Sequence, residues 1–520
     1  MEKNNNTLVR CVELARPELG NNTADAERLK KALEKDLDTQ GISIPLSIIA
    51  TLPENLRKWQ HRVKCVVFKG ETAWHLAAVK NPESGEKLYG IAADIGTTRI
   101  VLQLIDLETG IALKETAFDN PQAEVGPDVL ARIHYAGQNG NSGLERLQCL
   151  ILNKTNEKMN MICRKSLIDP EQIYLFCGAG NTAMTHLFLG LYPCYIIREP
   201  YIPAVNLLEP VKASTIGLDL NSDALAFLFP NTGSYFGGDL ISGIYFAGLH
   251  KREQTCLMVD VGTNAEVVIG NRDWLIACAG AAGPALEGGI SDMGMTAGPG
   301  VIDRVGVDPD TGELYIHTID ELPALGICGS GMIDLAAALF LSGRIDIRGK
   351  FSREKCREKL FNQNGIDHFK LVDRSISGTG RDIVLTQVDM NSLTSSKAAM
   401  HAILEVIVNQ TAGLEFDDLE KFFVAGTFGS FINPASAISI GMLPDIPLEK
   451  FEVLWNSSLK GAAKLLVHAD GFEEVETIRS KITYIELNVN QSFMNIFSGA
   501  KFYPHTDRSK FPSVKPFVEI

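Results

Sequence analysis

Gly90-Ile-Ala-Ala-Asp94-Ile-Gly96-Thr97-Thr98 reappears, lightly altered, 166 residues further on as Leu257-Met-Val-Asp260-Val-Gly262-Thr263-Asn264. Each copy is a short apolar run ending in Asp, then an apolar residue, Gly, Thr and a second small polar residue. β-Branched residues resume at once, at Ile100-Val101 and Val267-Val268. That order predicts a strand, a tight glycine turn and a returning strand. Such a tip suits phosphate chemistry. Glycine lets the backbone approach an anion, N–H groups and Thr hydroxyls donate to phosphoryl oxygens, and the Asp can hold a hydrated divalent cation. One Asp-x-Gly-Thr turn is often only a structural hairpin. Two copies predict a duplicated fold whose halves each offer a phosphate-gripping hairpin to a nucleotide clamped between them.

With 520 residues the chain has room for two or three domains with substantial cores. The formal net charge of −14 argues against nucleic acid or an anionic membrane as the main partner. No apolar run approaches the ~18 residues that span a bilayer. Met1-Glu-Lys-Asn-Asn-Asn lacks the apolar core of a signal peptide, which points to the cytoplasm. The closest cysteine pairs, Cys149/Cys163 and Cys163/Cys177, are 14 residues apart, and no C-x-x-C occurs. No iron–sulfur cluster is therefore expected on this chain.

Residues 1–22 are polar, end in Gly20-Asn21-Asn22, and read as a tail or linker. Residues 23–88 read as a small α/β module. Its first helix, Asp25 to Leu37, has Ala26, Leu29, Leu33 and Leu37 on one face, and its second runs from near Pro45 towards Trp59. Arg62–Phe68 and Thr72–Val79 form its hairpin. From residue 89 onwards strands and helices alternate, the signature of an α/β architecture, with lobes at about 89–252 and 253–520. Within it, Ile173–Cys177 reads as a strand, Ala183–Leu191 and Ser396–Ala412 as helices, and Phe422–Ala425 as a strand entering a glycine turn. Asn433-Pro434 opens a further helix.

Gly178-Ala-Gly180-Asn181-Thr182-Ala183 imitates a dinucleotide fingerprint, with Glu199 21 positions after Gly178. The better reading is a glycine turn at a helix N-terminus facing the nucleotide, where the macrodipole suits anions. Gly326-Ile-Cys-Gly329-Ser330-Gly331 is a second strand-to-helix glycine turn; close helix packing is its other reading. Glu287, within Gly283-Pro-Ala-Leu-Glu287-Gly288-Gly289, can contact a ribose or a water, or be a solvated loop carboxylate. Gly426-Thr-Phe428-Gly429 is the candidate nucleoside end. No P-loop and no kinase-type lysine motif occurs.

Two Asp–Gly–Thr hairpins, glycine turns at helix starts and a late Ala-Gly-x-Phe-Gly turn resemble the superfamily of acetate and sugar kinases, heat-shock ATPase chaperones and actin. Asn120-Pro-Gln122 with Gly126-Pro-Asp-Val-Leu-Ala-Arg132, Gly180-Asn-Thr-Ala-Met-Thr-His186, Gly233-Ser-Tyr-Phe-Gly-Gly-Asp239 and Phe502-Tyr-Pro-His-Thr-Asp507 sharpen the likeness. As an ordered set they resemble the ATP-dependent reductive activators of corrinoid proteins. The likeness runs from about residue 22 to the C-terminus, and the first module is similar to that family's middle domain.

The resemblance implies a two-lobed actin-like ATPase core, of duplicated ribonuclease H-like halves, at 89–520. Asp94 and Asp260 would then be catalytic and hold Mg²⁺ through water. Gly96, Thr97, Thr98, Gly180, Asn181, Thr182, Gly262, Thr263, Asn264, Glu287, Gly329, Ser330 and Gly331 would line the phosphates and ribose. Gly426, Phe428 and Gly429 would meet the nucleoside. ATP would drive a one-electron reduction of cobalt(II) to cobalt(I) in a corrinoid protein of a methyltransferase system. Relatives carry a ferredoxin-like domain, whereas here the electron is expected from a separate low-potential donor. A homodimer stays open. Two other classes fit the same motifs: a sugar or acyl kinase of the superfamily, and a non-redox chaperone-like ATPase that remodels a partner.

Overall fold

Both Asp–x–Gly segments turn a pair of antiparallel strands, and each pair sits at the centre of a larger sheet. The computed structural model describes residues 7–262, 265–280, 293–308, 311–426, 431–487 and 491–515. In it the chain divides into two units, Met1–Phe246 with Ser457–Lys481, and Ala247–Asn456 with Ile482–Ile520.

In the first unit, strand Tyr89–Ile95 pairs antiparallel with Arg99–Asp106, which pairs antiparallel with Ala112–Asp119. On its other side Tyr89–Ile95 runs parallel to Ile173–Ala179, itself parallel to Leu225–Leu228. Ile91, Ala93, Ile95, Ile100, Leu102 and Leu104 are buried in one core, as period-two alternation requires. Helix Val129–Ser166, interrupted at Gly140, links the third and fourth strands of this sheet, and helix Thr182–Leu189 follows the fourth.

The second unit repeats that plan. Cys256–Val261 pairs antiparallel with Ala265–Gly270, which pairs antiparallel with Leu275–Gly280. Cys256–Val261 also runs parallel to Phe422–Ala425, and that strand is parallel to Phe451–Trp455. Numbered along the chain, both sheets read 3-2-1-4-5, with the Asp hairpin joining the first and second strands. The duplication therefore covers the whole sheet and not the hairpins alone. One extra edge strand extends each sheet, Val211–Lys212 in the first unit and Ile482–Ile485 in the second.

The start of the chain departs from the expected tail. Val9–Glu13 is an edge strand, paired antiparallel with Arg62–Lys69 in a four-stranded sheet that also holds Trp74–Lys80 and Ile42–Ser43. Leu8, Val12 and Leu14 point inwards, and so does Arg10, 3.8 Å from Asp36. A cation at an inward position interrupts the alternation and makes the strand read as polar. Helices Asp25–Leu37 and Leu46–Lys58 complete this module, with Leu29, Leu33, Leu52 and Leu56 buried.

The lobe boundary also differs from expectation. Ser457–Lys481 leaves the second sheet after Phe451–Trp455 and belongs with the first unit. Its helix Ser457–Leu465 packs so closely there that a methyl group on Gly461 would stand 2.2 Å from the Ser242 carbonyl oxygen. Ser242 Oγ in turn donates to the Ser458 carbonyl at 2.7 Å.

The expected helix at 396–412 begins earlier, as Gln387–Glu405, and continues as a π-helical segment Val406–Thr411. Thr386 and Asp389 form its capping box. Lys397 in this helix is fully buried and donates to the carbonyls of Phe502 and Pro504, which pins the Phe502–Asp507 motif. Tyr503 completes the anchor, its hydroxyl 2.9 Å from Thr394 Oγ1. Replacing Lys397 by Ala leaves two carbonyls without their donor, each costing about 1–3 kcal/mol. The variant should melt at lower temperature and be cleaved faster by protease within 499–515. Unchanged melting and cleavage would remove Lys397 as the anchor.

Candidate phosphate-binding hairpins

In the first unit the turn is held residue by residue. A Cβ on Gly96 would lie 2.3 Å from the Arg99 carbonyl oxygen, so only glycine closes this turn. Asn120 grips it from below: its Nδ2 donates to Gly96 O at 2.9 Å and its N–H to Thr98 O at 2.8 Å. Asn181 grips it from the side, donating from Nδ2 to Thr97 Oγ1 at 3.0 Å. The same Asn181 caps helix Thr182–Leu189 by accepting from Met184 N–H at 2.9 Å. Asp94, at the strand's end, accepts from Ser458 Oγ at 3.0 Å. Thr98 stays exposed beside these groups.

The structure therefore brings Asp94, Gly96 and Thr97 together with Asn181. Gly180 joins them through Asp239, whose N–H donates to Gly180 O at 3.2 Å. Thr182 serves the scaffold: its hydroxyl donates to Gly233 O at 3.1 Å.

Asp239 and Ser458 were not among the expected site residues. Asp239 opens helix Gly238–Ala247, and its sequence signal was the quoted Gly-Gly-Asp239. Ser458 carries no local signal, because it stands 364 residues from Asp94. Burial pushes the Asp239 carboxyl up to about 7; the Leu240 N–H opposes the shift and the charge of Asp94 adds to it. Asp94 and Asp239 lie close enough for the charge of one to raise the other. A hydrated Mg²⁺ fits that donor set. Among the described residues no three His, Cys, Asp or Glu side chains gather with metal-ligand spacing, so water would supply the remaining ligands.

In the second unit, Asp260 ends its strand beside Ala425, and Gly426 follows at φ +87°. A Cβ on Gly426 would stand 2.5 Å from Asp260 Oδ1. Two sequence motifs, Asp260-Val-Gly262 and Ala425-Gly426, thus converge on one carboxylate. Gly329, Ser330 and Gly331 are buried at the start of helix Gly329–Leu341. Ser330 Oγ donates to Asp303 O at 3.2 Å, and a Cβ on Gly331 would meet Ile302 O at 2.5 Å. At Gly331 the helix packs closely on the strand. Thr263, Asn264, Glu287, Phe428 and Gly429 lie outside the described residues.

A sheet of order 3-2-1-4-5 carried twice, each with an Asp–Gly hairpin between its first two strands, defines the actin-like α/β class. The chain belongs to the RACo family. Residues 1–86 match the RACo linker region, 89–252 the RACo middle region, and 254–515 the C-terminal domain of RACo, the ASKHA domain. The module at 23–88, expected to correspond to the family's middle domain, thus falls in the linker region. A solved reductive activator for corrinoid, iron–sulfur protein superposes with a TM-score of 0.85 at 37% identity, covering 99% of this chain and 82% of that one. The corrinoid activation enzyme RamQ of Eubacterium limosum is 29% identical over 91% of this chain and 79% of its own length. A [Co(II) methylated amine-specific corrinoid protein] reductase of Methanosarcina barkeri is 24% identical over 79% of this chain and 76% of its own.

The raised Asp239 carboxyl has a measurable consequence. The unfolded chain loses this proton near ~4, whereas the folded one keeps it to about 7. Between those values the folded state binds more protons, so stability falls as pH rises. In cation-free buffer, Asp239→Asn should flatten the decline of melting temperature across that window. An unchanged slope would place the titration elsewhere.

Proposed function

We propose that the protein is an ATP-dependent reductive activator of a corrinoid protein. It would use ATP hydrolysis to support one-electron reduction of cobalt(II) to cobalt(I), with the electron coming from a separate low-potential donor. The observation that carries this reading is the pair of sheets, each ending in an Asp–Gly hairpin, in a chain 37% identical to a solved corrinoid reductive activator.

Asp94, which accepts from the Ser458 hydroxyl, orients the attacking water. Asp239, titrating close to neutrality, receives the proton that water sheds. Gly96, Thr97 and Thr98 present backbone N–H groups and hydroxyls to the phosphoryl oxygens, and Asn120 and Asn181 keep them aimed. Asp260, with Gly262 and Gly426 beside it, serves the second hairpin in the same way. Mg²⁺, held through water by Asp94, would neutralise charge developing on the transferred phosphoryl group. Water and ATP give ADP and phosphate, and separately one electron passes from the donor to the partner's cobalt. Hydrolysis is slow and gated by a conformational change that alters the grip on the partner.

The test is steady-state ATP turnover with and without a cobalt(II) corrinoid protein. Wild-type turnover should rise with the corrinoid protein. Asp94→Asn should fold normally and lose about 10²–10⁴ of the rate. Turnover indifferent to both the corrinoid protein and this substitution would remove the proposal.

A further inference from the structure

Arg132 is 0% exposed, on helix Val129–Ser166, and has no carboxylate within ion-pairing distance among the described residues. Its Nε donates to Gly126 O at 2.9 Å and its Nη1 to Gln122 Oε1 at 3.3 Å. Nη2 is buried without a partner. The nearest acidic influence is Asp128, whose side chain is committed to the helix cap by accepting from Ala131 N–H at 2.8 Å. Burial outweighs that influence and lowers the guanidinium to about 10, so it stays charged at neutral pH. Neutral side chains of the same volume would satisfy this core at lower cost, because an unpaired buried charge is among the most expensive groups a fold can carry.

What Arg132 adjoins is the phosphate turn. Gln122, which accepts from Arg132, donates its own N–H to Asn120 Oδ1 at 3.0 Å. Asn120 donates to Gly96 O and Thr98 O, as described above. Arg132 Nη1 and Asn120 Nδ2 also reach the same sulfur, Met184 Sδ, at 3.4 and 4.0 Å. Met184 stands on the helix capped by Asn181, the residue that holds Thr97. Gln122 is fixed from its far side as well, with Nε2 donating to Leu147 O at 2.9 Å. The cation thus sits two hydrogen bonds, through Gln122, behind Asn120, which shapes the Gly96 turn.

We propose that Arg132 is a positioning residue for polyphosphate. It locks Gln122 and Asn120 behind the Gly96–Thr98 turn, and its buried charge is balanced by the nucleotide's phosphates when they bind. Apo protein carries the cost of this charge, and bound nucleotide recovers it. The inference rests on the ATP reading given above.

The test compares wild type, Arg132→Met and Arg132→Lys by melting temperature without ligand and by direct titration with ATP and Mg²⁺. Met keeps the apolar volume and removes the charge; Lys keeps the charge. Unliganded Arg132→Met loses both the unpaired charge and the donor to Gly126 O and Gln122 Oε1, two opposing effects on melting temperature, and should bind ATP at least tenfold more weakly. Arg132→Lys should bind within about threefold of wild type. Arg132→Met that binds ATP as wild type does overturns the inference while leaving the ATP reading intact. Wild type that binds no ATP overturns both. Should Arg132→Met not fold, Arg132→Lys decides alone: a tenfold loss in the folded Lys variant shows that charge is not what the site requires.

Discussion

A carboxylate at the tip of a buried strand can work on a polyphosphate only if the turn beside it is immobile. In this protein that condition is met at Asp94 by contacts from four distant parts of the first unit. Ser458 bonds the carboxylate, Asn120 holds the Gly96 and Thr98 carbonyls, Asn181 holds the Thr97 hydroxyl, and Asp239 is tied to the Gly180 carbonyl. Glycine at 96 makes the turn tight, and these partners make it single-valued. Preorganisation of this kind is where most of the protein's contribution to phosphoryl transfer arises.

The sheets explain why such contacts are available. In each unit the Asp strand is central, flanked by an antiparallel strand on one side and a parallel strand on the other. The parallel neighbour ends in a glycine turn beside the same carboxylate: Ile173–Ala179 leads to Gly180, and Phe422–Ala425 leads to Gly426. The helix beginning at the first of these turns brings its capping residue Asn181 to the hairpin. The segment Ser457–Lys481, returning to the first unit after the fifth strand of the second, supplies Ser458. Duplication gives two hairpins, and this return gives the first its last support.

The hairpins were legible because strand alternation and glycine turns are local patterns, and two copies lifted them above chance. The small module's helices and its hairpin were legible for the same reason. Val9–Glu13 was not, since inward-pointing Arg10 breaks the alternation and is compensated by Asp36 in the folded chain. The early start of helix Gln387–Glu405 was hidden by Ser and Thr residues of poor helix propensity, overridden by burial and by the Thr386–Asp389 cap. At Gly331 local sequence alone does not separate close packing from backbone approach to a ligand, because both select glycine. Ser458 could not have been found at all, because a contact spanning 364 residues leaves no trace in local sequence.

The proposed function requires both ATP hydrolysis by this protein and an electron delivered to a partner's cobalt. It is tested most directly by following the cobalt(I) absorbance of a cobalt(II) corrinoid protein mixed with this protein. ATP and a low-potential reductant are supplied singly and together. Cobalt(I) forming only when ATP, reductant and this protein are all present is the predicted result. ATP consumed with no cobalt(I) from any donor would contradict the redox role and leave an actin-like ATPase with a different partner.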